Sequence, residues 1–317
     1  MQNAKKIKAL LLLSGGLDSI LAARLLLDQG IEVVAINFRT NFCGPSKARP
    51  AAQMLGIYLR EENIKEDFLD VLKKPKYGYG AGLNPCIDCH ALMLKKAGGI
   101  MRTENSCPER SRRIDFIATG EVLGERPMSQ NARALKIVEK EAGLEGYLLR
   151  PLSAKLLEPT IPEKDGRVSR EKLLGIKGRS RKEQIALAQK FGIKEYPAPA
   201  GGCALTQEGF SGRLKELMRN KPDFGAEDME FIKIGRHFFI GGCQIILGRN
   251  KEENEILESV ARKNDVLIIP DEAAGATAMI RGKNPDAVFE KAKELILKFS
   301  PKVRGEKNPT FKITRDF

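Results

Sequence analysis

An apolar run from Ile7 to Leu13 stops at Ser14-Gly15-Gly16-Leu17-Asp18-Ser19. A helical pattern then starts at Ser19 and passes through Ile20, Leu21, Leu25 and Leu26 to Gly30. Strand, glycine turn, helix is the order in which α/β proteins build a phosphate site. Two glycines let backbone N–H groups converge, and the helix N-terminus adds positive partial charge. Ser14 and Ser19 add hydroxyl donors. Asp18 is out of place in a plain anion cradle, because a carboxylate beside phosphate repels it unless a cation such as Mg²⁺ bridges the two. No Gly-x-x-x-x-Gly-Lys-Ser/Thr and no Gly-x-Gly-x-x-Gly stands at this turn, which excludes the two commonest glycine-loop nucleotide folds.

The chain continues in the same rhythm. Ile31–Phe38 reads as a second buried strand, Pro45 opens a helix to about Gly56, and Ile57–Glu62 is a strand. Helices near Glu66–Lys73 and Ile87–Met101 follow, then a strand at Ile114–Thr119 and a helix over Ser180–Phe191. Thr103–Arg113, with Cys107 inside it, reads as an exposed insertion. A βαβαβ start implies parallel strands with right-handed crossovers, hence an α/β, doubly wound, mostly parallel sheet. From about Thr206 the character changes to short apolar runs at Phe231–Ile234, Phe238–Ile240, Gln244–Leu247, Val266–Ile269 and Ala278–Ile280. Helices at Glu252–Arg262 and Asp286–Phe299 separate them. Residues 1–207 are thus expected to form the larger domain, and 208–317 a smaller α+β domain ending in an edge strand.

Charge narrows the partner. The formal net charge is +13, with nine basic against three acidic residues over Lys164–Lys190 and six against two over Lys298–Phe317. Such clustering favours a polyanion, RNA among the candidates. No apolar run reaches membrane-spanning length, and the basic start leads straight into the first strand, so neither a signal peptide nor a membrane partner is expected. Six cysteines without a disulfide-framework spacing point to a reducing, cytoplasmic setting.

Pro85-Cys86-Ile87-Asp88-Cys89-His90 places two sulfurs on one side of a helix start, where the dipole favours thiolate. By itself the pair fits a redox disulfide, a zinc half-site or an iron–sulfur half-site. Cys203 follows Pro197-Ala198-Pro199-Ala200-Gly201-Gly202, a stiff then flexible approach to a cleft. Cys86, Cys89 and Cys203 together would hold a [4Fe–4S] cluster one protein ligand short, leaving an iron free to carry an extra sulfide. His90 reads as a surface or capping residue, and His237 as one that packs or contacts RNA.

The Ser14–Ser19 loop resembles the SGGxDS loop of the PP-loop ATP pyrophosphatase superfamily. Asn84–Cys89 is similar to the motif of the 2-thiouridylases. Arg150-Pro151-Leu152 and Arg181-Lys182-Glu183-Gln184-Ile185-Ala186 through Cys203 are similar to the 4-thiouridine synthetases. Gly248–Asn254 resembles part of the NFACT-type RNA-binding domain. The resemblance implies an ATP-dependent RNA sulfurtransferase, acting on tRNA, that adenylates a uridine carbonyl oxygen and replaces it with sulfur, releasing AMP and PPi. It implies ATP phosphates on Ser14, Gly15, Gly16 and Ser19, with Mg²⁺ on Asp18. Adenine would lie near Asn37 and Phe38, at the carboxyl ends of the strands, and ribose or α-phosphate against Gly120. Sulfur, drawn from sulfide or a persulfide carrier, would come from a cluster on Cys86, Cys89 and Cys203, or from a Cys203 persulfide resolved by Cys86. The alternatives are a PP-loop amidating enzyme, a small-molecule sulfurtransferase and, least favoured because the Ser14–Ser19 loop is intact, a non-catalytic RNA-binding protein with a vestigial ATP fold.

Overall fold

Ala9, Leu10 and Leu11 are fully buried on successive, opposite faces of β1 (Lys8–Leu12). Burial on both sides marks the centre of a parallel sheet. The computed structural model describes residues 6–42, 47–106, 113–196 and 203–315, and the chain divides into two units between Thr206 and Gln207.

The first unit runs β1, α1 (Leu17–Leu27), β2 (Glu32–Arg39), α2 (Ala48–Leu55), β3 (Tyr58–Asn63), α3 (Lys65–Lys73) and α4 (Cys86–Ser106). It continues through β4 (Phe116–Thr119), α5 (Ala132–Ala142), β5 (Leu148–Leu149), α6 (Ile161–Lys164) and α7 (Lys182–Lys190). Its sheet is wholly parallel in the order β3-β2-β1-β4-β5. One face packs Leu17, Leu21, Ala188 and Ile193 against the strands, and the other packs Leu94, Ala97 and Val138. The fold is therefore the expected α/β doubly wound sheet. Strand order reverses between β1 and β4, so the ligand crevice of such a sheet opens at their carboxyl ends. Surface hollows bordered by Lys6, Gly30 and Gly56 and by Asp115, Tyr147 and Arg167 lie at the opposite, amino ends.

Helix α4 runs five residues past the expected stop at Met101. Its polar tail is satisfied within the helix, with Thr103 Oγ1 donating to the Gly99 carbonyl (3.1 Å) and Ser106 Oγ to that of Arg102 (2.9 Å). Asn105 then clamps the approach to β4 through both polar atoms, on Ile114 N and O (2.8 and 2.9 Å). Cys43, Gly44, Pro45, Cys107 and the Pro197–Gly202 approach lie outside the described residues.

The second unit comprises α8 (Glu208–Asn220), α9 (Ala226–Phe231), β6 (Arg236–Ile240), β7 (Cys243–Leu247), α10 (Lys251–Val260) and β8 (Val266–Pro270). It ends with β9 (Ala278–Gly282), α11 (Phe289–Phe299), α12 (Pro301–Arg304) and β10 (Phe311–Thr314). Its sheet is antiparallel, order β10-β8-β9-β7-β6, with β10 the edge strand read from the tail. Ala292, Ile296 and Val303 cover one face, and Phe231 and Leu257 the other. Phe231–Ile234 is not a strand. Asp228 at the third position of α9 accepts the Gly225 N–H (2.9 Å) and nucleates a helix, and Phe231 and Ile234 then share one apolar face at helical spacing.

His237 packs inside this unit. Its Nε2–H donates to the Ile234 carbonyl (2.7 Å), and Nδ1 accepts from Gln244 Nε2 (3.0 Å), which assigns the neutral tautomer. Burial pulls its pKa down from 6.5 to about 4. A depressed histidine stabilises the fold above its unfolded pKa and opposes folding once charged. We therefore expect stability to fall as pH drops from 6.5 toward about 4. An imidazole NMR titration of His237 with a midpoint near 6.5 would contradict this assignment.

Candidate functional site: a glycine loop at the sheet's switch point

The Ser14–Ser19 loop lies at the carboxyl end of β1, on the crevice. Gly16 is the N-cap of α1, and no side chain caps the first turn, leaving its N–H groups for a ligand. Ser19 Oγ donates to the Gly16 carbonyl (2.9 Å), Ser14 Oγ accepts from Gly16 N (3.2 Å), and the two hydroxyls lie 3.3 Å apart. Ser14 is exposed while Ser19 is buried. Gly15 takes φ +77°, and a Cβ there would overlap the Lys47 carbonyl and fall 2.7 Å from Ala48 N. The segment entering α2 thus closes directly on the loop.

Three of the expected nucleotide residues hold the frame. Asn37 Nδ2 donates to the Leu13 carbonyl (2.8 Å), pinning the end of β1 to β2. Phe38 is buried in the core on the α4–α5 side, so its ring is not open to a base. Gly120 is needed because a Cβ would come within 2.5 Å of Ser19 N, so the close approach it permits is that of β4's end to the start of α1.

The cysteines sit in separate settings. Asn84 Nδ2 donates to Cys86 Sγ (3.1 Å), and its Oδ1 accepts from Gly82 N (3.0 Å), fixing the first sulfur at the start of α4. Cys203 Sγ donates to the Phe42 carbonyl (3.9 Å), in the loop that leaves β2. Leu83 N bonds the Leu205 carbonyl (3.2 Å), tying the Cys203 segment to the approach to Cys86. Among the described residues no three His, Cys, Asp or Glu side chains assemble as a metal site. The sulfurs of the expected ligand set Cys86, Cys89 and Cys203 are not gathered at one point, Cys86 being held by Asn84 and Cys203 by the Phe42 carbonyl.

His90, read as a surface or capping residue, instead pairs with a buried charge network. Its Nδ1 donates to Glu121 Oε1 (2.8 Å). Glu121 Oε2 accepts from Arg150 Nε (2.9 Å) and Thr119 Oγ1 (3.1 Å), and Arg150 also binds Glu139 (3.1 Å). Burial alone would raise the Glu121 pKa, but Arg150 and His90 outweigh it and hold it at about 2. Glu121→Ala leaves a 4 % exposed guanidinium short of its main counter-ion, at an expected cost of about 3–5 kcal/mol in urea unfolding. A cost below about 1 kcal/mol would mean that Arg150 re-pairs.

Further charged groups stand beside Asp18. Asp18 is pushed above the usual carboxylate range by burial, opposed by Arg181, Gln184 and Arg126. Glu125 is raised by burial and by Asp18. Asp18 Oδ1 is buried without a hydrogen-bond partner, as are Arg181 Nε and both amide atoms of Gln184, which is fully buried. An orphaned carboxylate oxygen beside a second carboxylate fits a divalent cation shared with phosphate.

Comparison with known proteins gives two family matches. Residues 5–155 match the model described as "Thiamine biosynthesis protein (ThiI)", and residues 235–316 that of the "NFACT protein RNA binding domain". The tRNA-specific 2-thiouridylase MnmA 2 of Fusobacterium nucleatum is 29% identical over 224 residues, covering 68% of this chain and 60% of that protein. The MnmA of Caldicellulosiruptor saccharolyticus is 29% identical over 220 residues, covering 61% and 54%. The chain thus spans little more than half the length of these relatives. Among solved structures, a 4-thiouridine synthetase–RNA complex with bound ATP aligns at 21% identity and TM-score 0.37, over 70% of this chain and 52% of that one. A predicted subunit of tRNA methyltransferase from Methanocaldococcus jannaschii aligns at 14% and 0.37, over 58% and 76%.

Proposed function

We propose that this chain, similar to PP-loop tRNA thiouridine synthetases in its first unit and to NFACT-type RNA-binding domains in its second, is an ATP-dependent tRNA sulfurtransferase. One observation carries the reading. An uncapped glycine loop sits at the switch point of the parallel sheet, and the Cys203 thiol is held at the β2 loop of the same rim.

The first-turn N–H groups of α1 and the hydroxyls of Ser14 and Ser19 take the terminal phosphates, and Asp18 would hold Mg²⁺. Bound there, the ion would neutralise charge on the phosphates. A uridine carbonyl oxygen attacks the α-phosphorus in line, and PPi leaves, a step driven by positioning and charge neutralisation. A persulfide on Cys203 then attacks the activated carbon, and AMP departs with the former carbonyl oxygen. The carbon is now joined through sulfur to Cys203. Attack of the Cys86 thiol on Cys203 Sγ releases thiouridine and leaves a Cys86–Cys203 disulfide, which an external thiol reduces. The basic surfaces grip backbone phosphates while the target base leaves its stack.

The test incubates the full chain with unmodified tRNA, ATP, Mg²⁺ and a persulfide donor. AMP, PPi and thiouridine should form in equal amounts, read by mass spectrometry of digested tRNA. ATP turnover that ignores RNA but follows ammonia or a small metabolite would replace this reading with an amidating or small-molecule sulfurtransferase.

A further inference from the structure

Strand β6 is an edge of the second unit's sheet, and its successive residues face opposite sides. At its start each side carries a cation. Arg236 stands over the Phe299 ring at the end of α11, 4.7 Å from its centre, and Lys298 lies 5.5 Å from the same ring. Phe238, on the same side of the strand, packs on that ring at 5.9 Å. On the other side His237 meets Gln244, and Arg213 of α8 stands near it. Arg213 Nε donates to the Ile232 carbonyl (3.0 Å), and its guanidinium lies 5.7 Å from the centre of the Phe210 ring. Arginines from α8 and from the strand itself thus flank one strand end.

These cations lack the carboxylates that their neighbours have. Lys233 pairs with Glu230 (2.6 Å), Arg249 with Glu253, Arg281 with Asp265 (2.6 Å) and Lys293 with Glu290 (2.8 Å). Among the described residues Arg213, Arg236 and Lys298 form no ion pair, and the terminal nitrogens of both arginines make no hydrogen bond. A lone exposed lysine is ordinary, since water solvates it. Arg213 is different, because it is half-buried. Burial and then Arg249 pull its pKa below the ordinary arginine range, with Glu253 opposing. A phosphate would offset the cost of holding two guanidiniums near each other away from water. Ring stacking, and for Arg213 the tethered Nε, fix the forks before a ligand arrives, so little side-chain entropy is lost on binding. A structural arginine would account for the Ile232 carbonyl, but not for three unpaired cations around one strand end.

We infer that the start of β6 is where the second unit grips the sugar–phosphate backbone of RNA, with Arg213, Arg236 and Lys298 each contacting a phosphate. Contacts of this kind hold and orient RNA without reading its sequence. The inference rests on the tRNA half of the function proposed above and gives it a location. Arg213 lies in α8, outside both family-matched segments, so its contact is one that the matched residues 235–316 do not contain.

Fluorescence anisotropy of the full chain with an unmodified tRNA transcript, from about 50 to 200 mM KCl, tests the assignment. Arg213→Gln, Arg236→Gln and Lys298→Gln should each weaken binding about 3- to 10-fold and lower the slope of log affinity against log salt by roughly one. Lys293→Gln is the control, because its ammonium is already paired with Glu290, and should leave the slope unchanged. Arg213→Lys should keep the slope, whereas a merely structural arginine would move the melting temperature and not the salt dependence. Should Arg213→Gln fail to fold, Arg236→Gln and the exposed Lys298→Gln still decide the matter. A folded triple variant with wild-type tRNA affinity and slope overturns the inference. If that variant has instead lost binding to poly-glutamate, the surface belongs to an acidic protein. A wild type that binds tRNA through these residues but forms no thiouridine overturns the proposed function and leaves this inference standing.

Discussion

Alanine at position 15 is expected to lower tRNA-dependent ATP–pyrophosphate exchange by at least about 100-fold, with the sheet still folded. Two independent effects meet at this residue. Its φ of +77° is left-handed, a conformation that costs a non-glycine residue about 1–2 kcal/mol. The added methyl would also collide with backbone, the Lys47 carbonyl and Ala48 N, and backbone cannot swing aside as a side-chain tip can. The loop must shift or the start of α2 must lift. Either movement displaces the N–H groups that converge on phosphate, and a displacement near 1 Å is enough for a loss of about 100-fold. Gly16 supplies the internal comparison. Its φ of −79° is ordinary, and a Cβ would meet only the Ser14 hydroxyl at 3.4 Å. Gly16→Ala should therefore retain at least about ten times the exchange activity of Gly15→Ala. Equal activities in the two variants would show that the contact with the α2 entry does not shape the loop. Far-ultraviolet circular dichroism and melting of both variants confirm that the comparison is made on folded protein.

This site was legible in the sequence as far as local rules reach. A buried run, two glycines and an amphipathic start suffice to place a strand, a turn and a helix, because each depends on residues within a few positions. Asn37, Phe38 and Gly120 were found because they end β2 and β4, but their duties depend on neighbours more than twenty residues away. A carboxamide at a strand end serves a ligand or pins a carbonyl equally well until the register of β1 against β2 is known. Glu121 carried no signal at all, since nothing local reveals that Arg150, twenty-nine residues later, will meet it in the core. Gln184 did leave a trace. It sits four residues before Ala188, on the buried face of α7 where an apolar side chain is expected. A polar residue on an apolar helical face marks either a ligand or an internal hydrogen bond, and the sequence does not separate the two. Phe231–Ile234 shows the converse failure, because a short apolar run fits a strand and a helix equally, and only the Asp228–Gly225 cap separates the two.

Cys203→Ser should remove thiouridine formation, by more than about 1000-fold, while ATP–pyrophosphate exchange stays within about twofold of wild type. Serine nearly matches cysteine in size and can still donate to the Phe42 carbonyl, so the rim need not move. Oxygen cannot carry a sulfane sulfur, however, so the activated uridine is left without its nucleophile. Adenylation draws on the glycine loop and the α1 N-terminus, none of which involves Cys203, so the first half-reaction survives. Cys86→Ser should behave differently. If Cys86 resolves the sulfur-linked intermediate, its loss traps tRNA on the protein through Cys203, seen as a band that an added thiol releases. Replacing Asn84 by Leu, which removes the donor to Cys86 Sγ and the link to Gly82, should slow that release without altering exchange. Cys89→Ser should leave the trapped band absent and thiolation largely intact, because the relay uses only Cys203 and Cys86. The opposite pattern decides against the relay. Thiolation that survives Cys203→Ser, or that is lost in Cys89→Ser together with bound iron in anaerobically purified protein, would return the sulfur chemistry to a cluster.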